Sequence, residues 1–168
     1  MKEVVDSVEN IVDNSEIKAY KAEVASLWLD DVRRLKREAD LAYDMMLDER
    51  TMLDGLRGID YSREPTGSGG GDPMLDAIGR LQSSIGRYSE IMSEYLDERA
   101  VAAEIIEKVS MPGRAVLAYY YLAGKPYSWI EARMAYSHGG IMKIRRAALV
   151  EIFDLMPHDR RPTIPRAI

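Results

Sequence analysis

Apolar residues recur in steps of three and four across residues 16–56: Ile17, Tyr20, Val24, Trp28, Val32, Leu35, Ala39, Ala42, Met46, Leu53 and Leu56. That spacing lays one apolar stripe along a helix. The same segment is almost free of Gly and Pro and rich in good helix formers. A helix of about 40 residues is about 60 Å long. A second stripe, Met74, Ile78, Leu81, Ile85, Tyr88, Met92, Tyr95, Arg99, Ala102, Ile106 and Val109, alternates steps of four and three. It reads as a heptad seam interrupted once, at Arg99. Between the stripes, residues 58–72 form a loop by their Gly, Ser and Pro content. The loop ends in Asp72-Pro73, an N-cap acid followed by a proline at the first helical position, where its missing N–H costs nothing. Neither helix can bury its stripe alone. Residues 1–110 are therefore expected as a long, coiled-coil-like antiparallel hairpin, or as helices paired between chains.

The pattern changes at Pro112-Gly113. Residues 114–123 fit a short helix, Gly124-Lys125-Pro126 breaks it, and residues 126–149 space their apolar and small residues as a helix-turn-helix does. Ile130 and Met134 lie one turn apart on a first helix, and Ala135 and Tyr136 make the corner. Ser137 caps a second helix whose inner face is Ile141, Ile144, Ala148 and Leu149. The outer face of that helix carries Met142, Lys143 and Arg146, with Arg145 on its flank. A short helix with a neutral seam and a cationic outer face, standing on another helix, fits the DNA major groove. The expected organisation is all-α: a hairpin over 1–110, a helix-turn-helix domain over 111–156, and an extended basic tail over 157–168.

Charge sharpens this division. The net charge of −5 separates into 14 Lys/Arg against 24 Asp/Glu in residues 1–110 and 9 against 4 in residues 111–168, which gives −10 and +5. Only the C-terminal piece is suited to face phosphate. No apolar run approaches the roughly 18–20 residues of a membrane span. The first twelve residues hold three acids and no apolar signal core, so an intracellular protein is expected. Cysteine is absent, which excludes disulfides, thiolate metal sites and Cys nucleophiles. The two histidines, His138 and His158, lie twenty residues apart and belong to no metal-ligand motif. No metal or other cofactor is expected. Asp30-Asp31 and Asp48-Glu49 read as surface charge on a long helix. Residues 67–71 lack the Gly-Lys-Ser/Thr ending of a phosphate loop. No converging catalytic set is visible, and the chain is not expected to be an enzyme.

The second helix, from the capping Ser137 through Ile141, Ile144 and Ala148-Leu149, resembles the recognition helix of region 4 of bacterial sigma factors. The tyrosines at 119, 120 and 121 ahead of Gly124 resemble the helix and turn that open that module. Ala135 takes the turn position where Gly is usual, and Glu131 stands where a small residue lets the helices touch, so it must bend out or pair locally. With its glycine-rich loop between two long helices, the chain is similar to phage and prophage regulators of the ArpU/RinA type. That resemblance implies a late-gene transcription activator in the cytoplasm of a bacterial host. It places His138, Gly139, Met142, Lys143 and Arg146 toward DNA. Lys143 and Arg146 are expected to bond guanine edges and Met142 to touch a thymine methyl. Ser137, at a helix N-terminus, and Arg145 are expected to meet phosphate. The partners implied are double-stranded DNA, RNA polymerase and a second copy of the chain. A phage DNA-packaging subunit of the small-terminase kind and a helical adaptor binding an acidic protein remain as rival readings.

Overall fold

The computed structural model describes residues 2–58 and 72–162, with side chains from Asn14 onward. Most of the glycine-rich loop and the last six residues of the tail lie outside the described residues. Five α-helices follow one another: α1 (Lys2–Arg57), α2 (Pro73–Glu107), α3 (Gly113–Leu117), α4 (Tyr127–Met134) and α5 (His138–Leu155). The fold is all-α, with α1 and α2 as the expected helical hairpin and no strand among the described residues. No helix among these residues is long and apolar enough to cross a membrane.

The contacts gather into two compact units, Arg34–Asp97 and Met1–Arg33 with Glu98–Ile168. This division runs through both long helices and does not fall at residue 110, where the change of pattern placed it. In the first unit, Leu35, Ala39, Ala42 and Leu53 of α1 and Ala77 and Tyr95 of α2 are buried. Tyr43 packs on Tyr88 at 5.4 Å between ring centres, and Arg80 Nε donates to Glu49 Oε2 at 3.2 Å. The expected cap is in place, since the Met74 N–H donates to Asp72 Oδ1 at 2.9 Å. Ile85, placed in the seam by its spacing, is exposed.

The second unit has the larger core. Val24, Ala25, Trp28, Leu29 and Val32 of α1 are buried in it together with Ala102, Ile105, Ile106 and Val109. Val116, Leu117, Tyr121, Ile130, Ile141, Ala148, Leu149 and Ile152 complete it from the C-terminal side. Where α3 meets α5, a Cβ on Gly113 would stand 2.6 Å from the Ala148 Cβ, so this crossing requires glycine. Arg99 points outward, and the inward place at this turn falls to half-buried Glu98. The Glu98 carboxylate accepts from Trp28 Nε1 at 3.5 Å and pairs with Arg160. The described part of the tail is therefore not extended as expected. It makes a 3-10 turn over His158–Arg160, and Arg161 lies on the Phe153 ring at 4.2 Å and donates to the Phe153 carbonyl at 3.1 Å.

Candidate nucleic-acid interface

The helix-turn-helix is built from local signals. Gly124 adopts φ +66 and ends the preceding helical stretch, and extended Pro126 leads into α4. Ala135 takes the left-handed conformation, φ 58 and ψ 39, at the corner. An L-residue there costs about 1–2 kcal/mol that glycine would not. Ser137 caps α5, its Oγ accepting the Gly140 N–H at 3.2 Å. Glu131 pairs locally, as its position demanded, with His138 Nδ1 at 2.7 Å. Ile130 and Ile141 are fully buried with Val116, and Met134, Met142 and Ile144 pack around them half-buried. Tyr136, at the corner, is 45% exposed.

The tyrosine cluster braces this module from the α3 side. A π-helical turn over Ala118–Leu122 widens the helix and aims three successive rings differently. Tyr121 is buried, Tyr120 stacks on Tyr127 at 4.3 Å, and Tyr119 meets Trp129 edge-on at 5.1 Å. Burial pushes the Tyr121 hydroxyl above its ordinary range, and burial does the same for Tyr127. A folded-state value above the unfolded one contributes stability below the unfolded value and loses it as pH rises. The melting temperature is therefore expected to fall above about pH 10, where the unfolded tyrosines ionise. Tyr121→Phe should flatten that fall, and an unchanged slope in thermal melts across pH 9–11 would contradict it.

Arg145 overturns a sequence expectation. Its Nη2 donates to Ser26 Oγ at 2.8 Å and to Tyr121 Oη at 2.5 Å, which ties α5 to α1 and to the π turn. Burial opposes its charge, but the Tyr121 oxygen, Tyr127 and Asp30 outweigh burial and hold its pKa above the ordinary value. A guanidinium engaged in this way is a brace and is not available to phosphate. Met142 packs half-buried against the buried cluster and lines an open cleft of about 460 Å³ between α1 and α5.

What remains outward on α5 is narrower than expected and more coherent. Gly139, Lys143, Arg146 and Ala147 are exposed and fall on one face at 100° per residue, with His138 at its N-terminal edge. Arg146 also borders the cleft, where Glu23 and Leu27 of α1 form part of the other side. Much of the +5 charge is used elsewhere: Arg114 on the Val109 carbonyl, Arg160 on Glu98, Arg161 on Phe153, and Lys125 over Trp129 at 5.2 Å. Arg133 is exposed on α4, two residues and so about 200° around from Glu131, which points it away from the start of α5. The charge split hinted at Arg133, but nothing in the spacing singled it out. Among the described residues no group of three His, Cys, Asp or Glu side chains is placed to hold a metal ion.

No family model, curated protein or solved structure matches this chain.

Proposed function

We propose that this protein is a sequence-specific DNA-binding transcription regulator, encoded by a phage or prophage and acting in the cytoplasm of the bacterial host. The observation that carries this reading is the exposed face of α5. Lys143 and Arg146 stand one turn apart on a capped helix whose opposite face, Ile141, Ala148, Leu149 and Ile152, is buried. In this reading α5 enters the major groove, and Lys143 and Arg146 bond guanine edges. Gly139 lets the backbone come close, while the N-terminal end of α5 at Ser137 and His138 approaches phosphate. The helical hairpin pairs with a second copy or contacts RNA polymerase. The protein works by binding and not as an enzyme, and it needs no cofactor. The likeness to sigma factor region 4 and to ArpU/RinA-type regulators agrees with this assignment.

The test uses the whole chain, because residues 111–168 alone would lose the α1 and α2 side chains buried in the same core. Sequencing the DNA that co-purifies with the protein from its host defines the preferred site. Lys143→Ala and Arg146→Ala are each expected to relax preference at one base position, by about 1–3 kcal/mol per lost contact in competition gel shifts. Arg145→Ala should lower the melting temperature and leave the salt dependence of binding unchanged, since it meets no phosphate. Unaltered preference after both Lys143 and Arg146 are removed would overturn the reading.

A further inference from the structure

The hairpin unit leaves a self-complementary face on α1. Leu41, Met45 and Met52 are 58%, 46% and 59% exposed. At 100° per residue they lie within about 40° of one another, so they form a stripe. This stripe is separate from the one that buries Leu35, Ala39, Ala42 and Leu53. Beside it, two adjoining hollows of about 170 and 60 Å³ open between α1 and α2. Buried Ala42 belongs to both hollows, Leu41, Met45 and Ile91 contribute apolar walls, and Glu38 and Arg87 supply charge. A groove between two helices takes the apolar side chains of a third, as in a bundle.

The charges along this face identify the third helix. Arg34, Leu41 and Asp48 follow one another at intervals of seven, so a cation and an acid flank Leu41 at equal distances. Arg37 and Asp44 repeat that order at the edge. Arg34 pairs with Glu38 one turn on in α1, while Arg34 and Asp48 are too far apart on one helix to meet: 14 residues is about 21 Å. If a second α1 runs antiparallel about a two-fold axis at Leu41, Arg34 meets Asp48 of the other copy and Arg37 lies beside its Asp44. By symmetry each contact occurs twice.

We infer that the protein forms an antiparallel homodimer through this face, with Leu41 of both copies on the axis and each copy's α1 seated on the other's groove. Two hairpins then complete a four-helix bundle. Parallel pairing is disfavoured because Arg34 would face Arg34 and Asp48 would face Asp48. A face of about five helical turns is modest beside the ~800 Å² per partner of standard interfaces. Association is therefore expected at about tens of micromolar. The inference goes beyond the DNA-binding reading and does not depend on it, because its test contains no DNA.

The absence of native cysteine makes that test clean. In full-length protein under mild oxidant, Leu41→Cys is expected to cross-link at least about tenfold faster than Met52→Cys. In the Met52→Cys variant the two introduced thiols would stand about 33 Å apart along the helices, far beyond the ~7 Å Cα limit of a disulfide. Arg34→Glu alone should weaken self-association in sedimentation runs at least about threefold, and Arg34→Glu with Asp48→Arg should restore it. Circular dichroism checks that each variant remains helical. Equal cross-linking at both positions would mean a parallel pair, and a monomer at 100 µM (about ten times the stronger end of the expected range) would leave the face to another partner. Either result overturns the inference.

Discussion

Ile141→Asp is expected to abolish cooperative melting of the C-terminal module. Ile141 is fully buried beside Val116 and Ile130. Truncating such a side chain costs about 2–5 kcal/mol through lost burial and the cavity left behind. A carboxylate here would stand against buried Val116 and Ile130, and an unpaired buried charge adds several kcal/mol more. The sum is comparable to the ~5–15 kcal/mol net stability of a whole domain. Ile141→Val, which removes one methyl group, should cost only about 1 kcal/mol. Circular dichroism melts with tyrosine fluorescence measure both variants. An Asp variant melting within a few degrees of wild type would mean that Ile141 is not at the heart of the module.

The second large effect is expected where α3 crosses α5. Gly113→Ala would place a Cβ 2.6 Å from the Ala148 Cβ, closer than such atoms come. Ala148 has no flexible end to turn aside, so the helices must separate. Overpacking of this kind costs about 1–3 kcal/mol. The partner change Ala148→Gly reopens the space at a cost of about 1 kcal/mol for glycine inside a helix. Combined, the two substitutions should therefore be less destabilising than the sum of the singles. Urea unfolding of the three variants gives the coupling energy, and strict additivity would refute close packing at this crossing.

These two positions show which parts of the structure could be read from sequence. The Ser137 cap, the Ala135 corner and the Asp72 cap rest on neighbours within a few residues, and Ile130 and Ile141 announce their inward faces by helical periodicity; capping and periodicity are both local signals. Glu131 could be read in the same way, because its partner His138 is seven residues on. Arg145 could not. Its phase on α5 puts it at the flank, and only the fold brings up Ser26, 119 residues earlier. The same holds for Met142, whose cleft is completed by α1, and for the tail arginines, which Glu98 and Phe153 engage. Arg99 and Glu98 show the limit of a heptad reading: a shift of one residue decides which side chain faces in, and Trp28 and Arg160 supply the contacts that decide it. The outward pair Lys143 and Arg146 was legible because no distant element covers it.

The core shared by α1 and the C-terminal helices has a consequence for biosynthesis. A ribosome makes Trp28 and Leu29 early and the helix bearing Leu149 and Ile152 last. For most of translation, then, the first apolar stripe waits without the side chains that bury it. Chains released early display that stripe, and exposed apolar surface on incomplete chains invites aggregation and capture by chaperones. The same dependence prevents the C-terminal module from travelling between proteins as a self-sufficient cassette. Recombination that brings in a new α5 must also keep an α1 shaped to receive it.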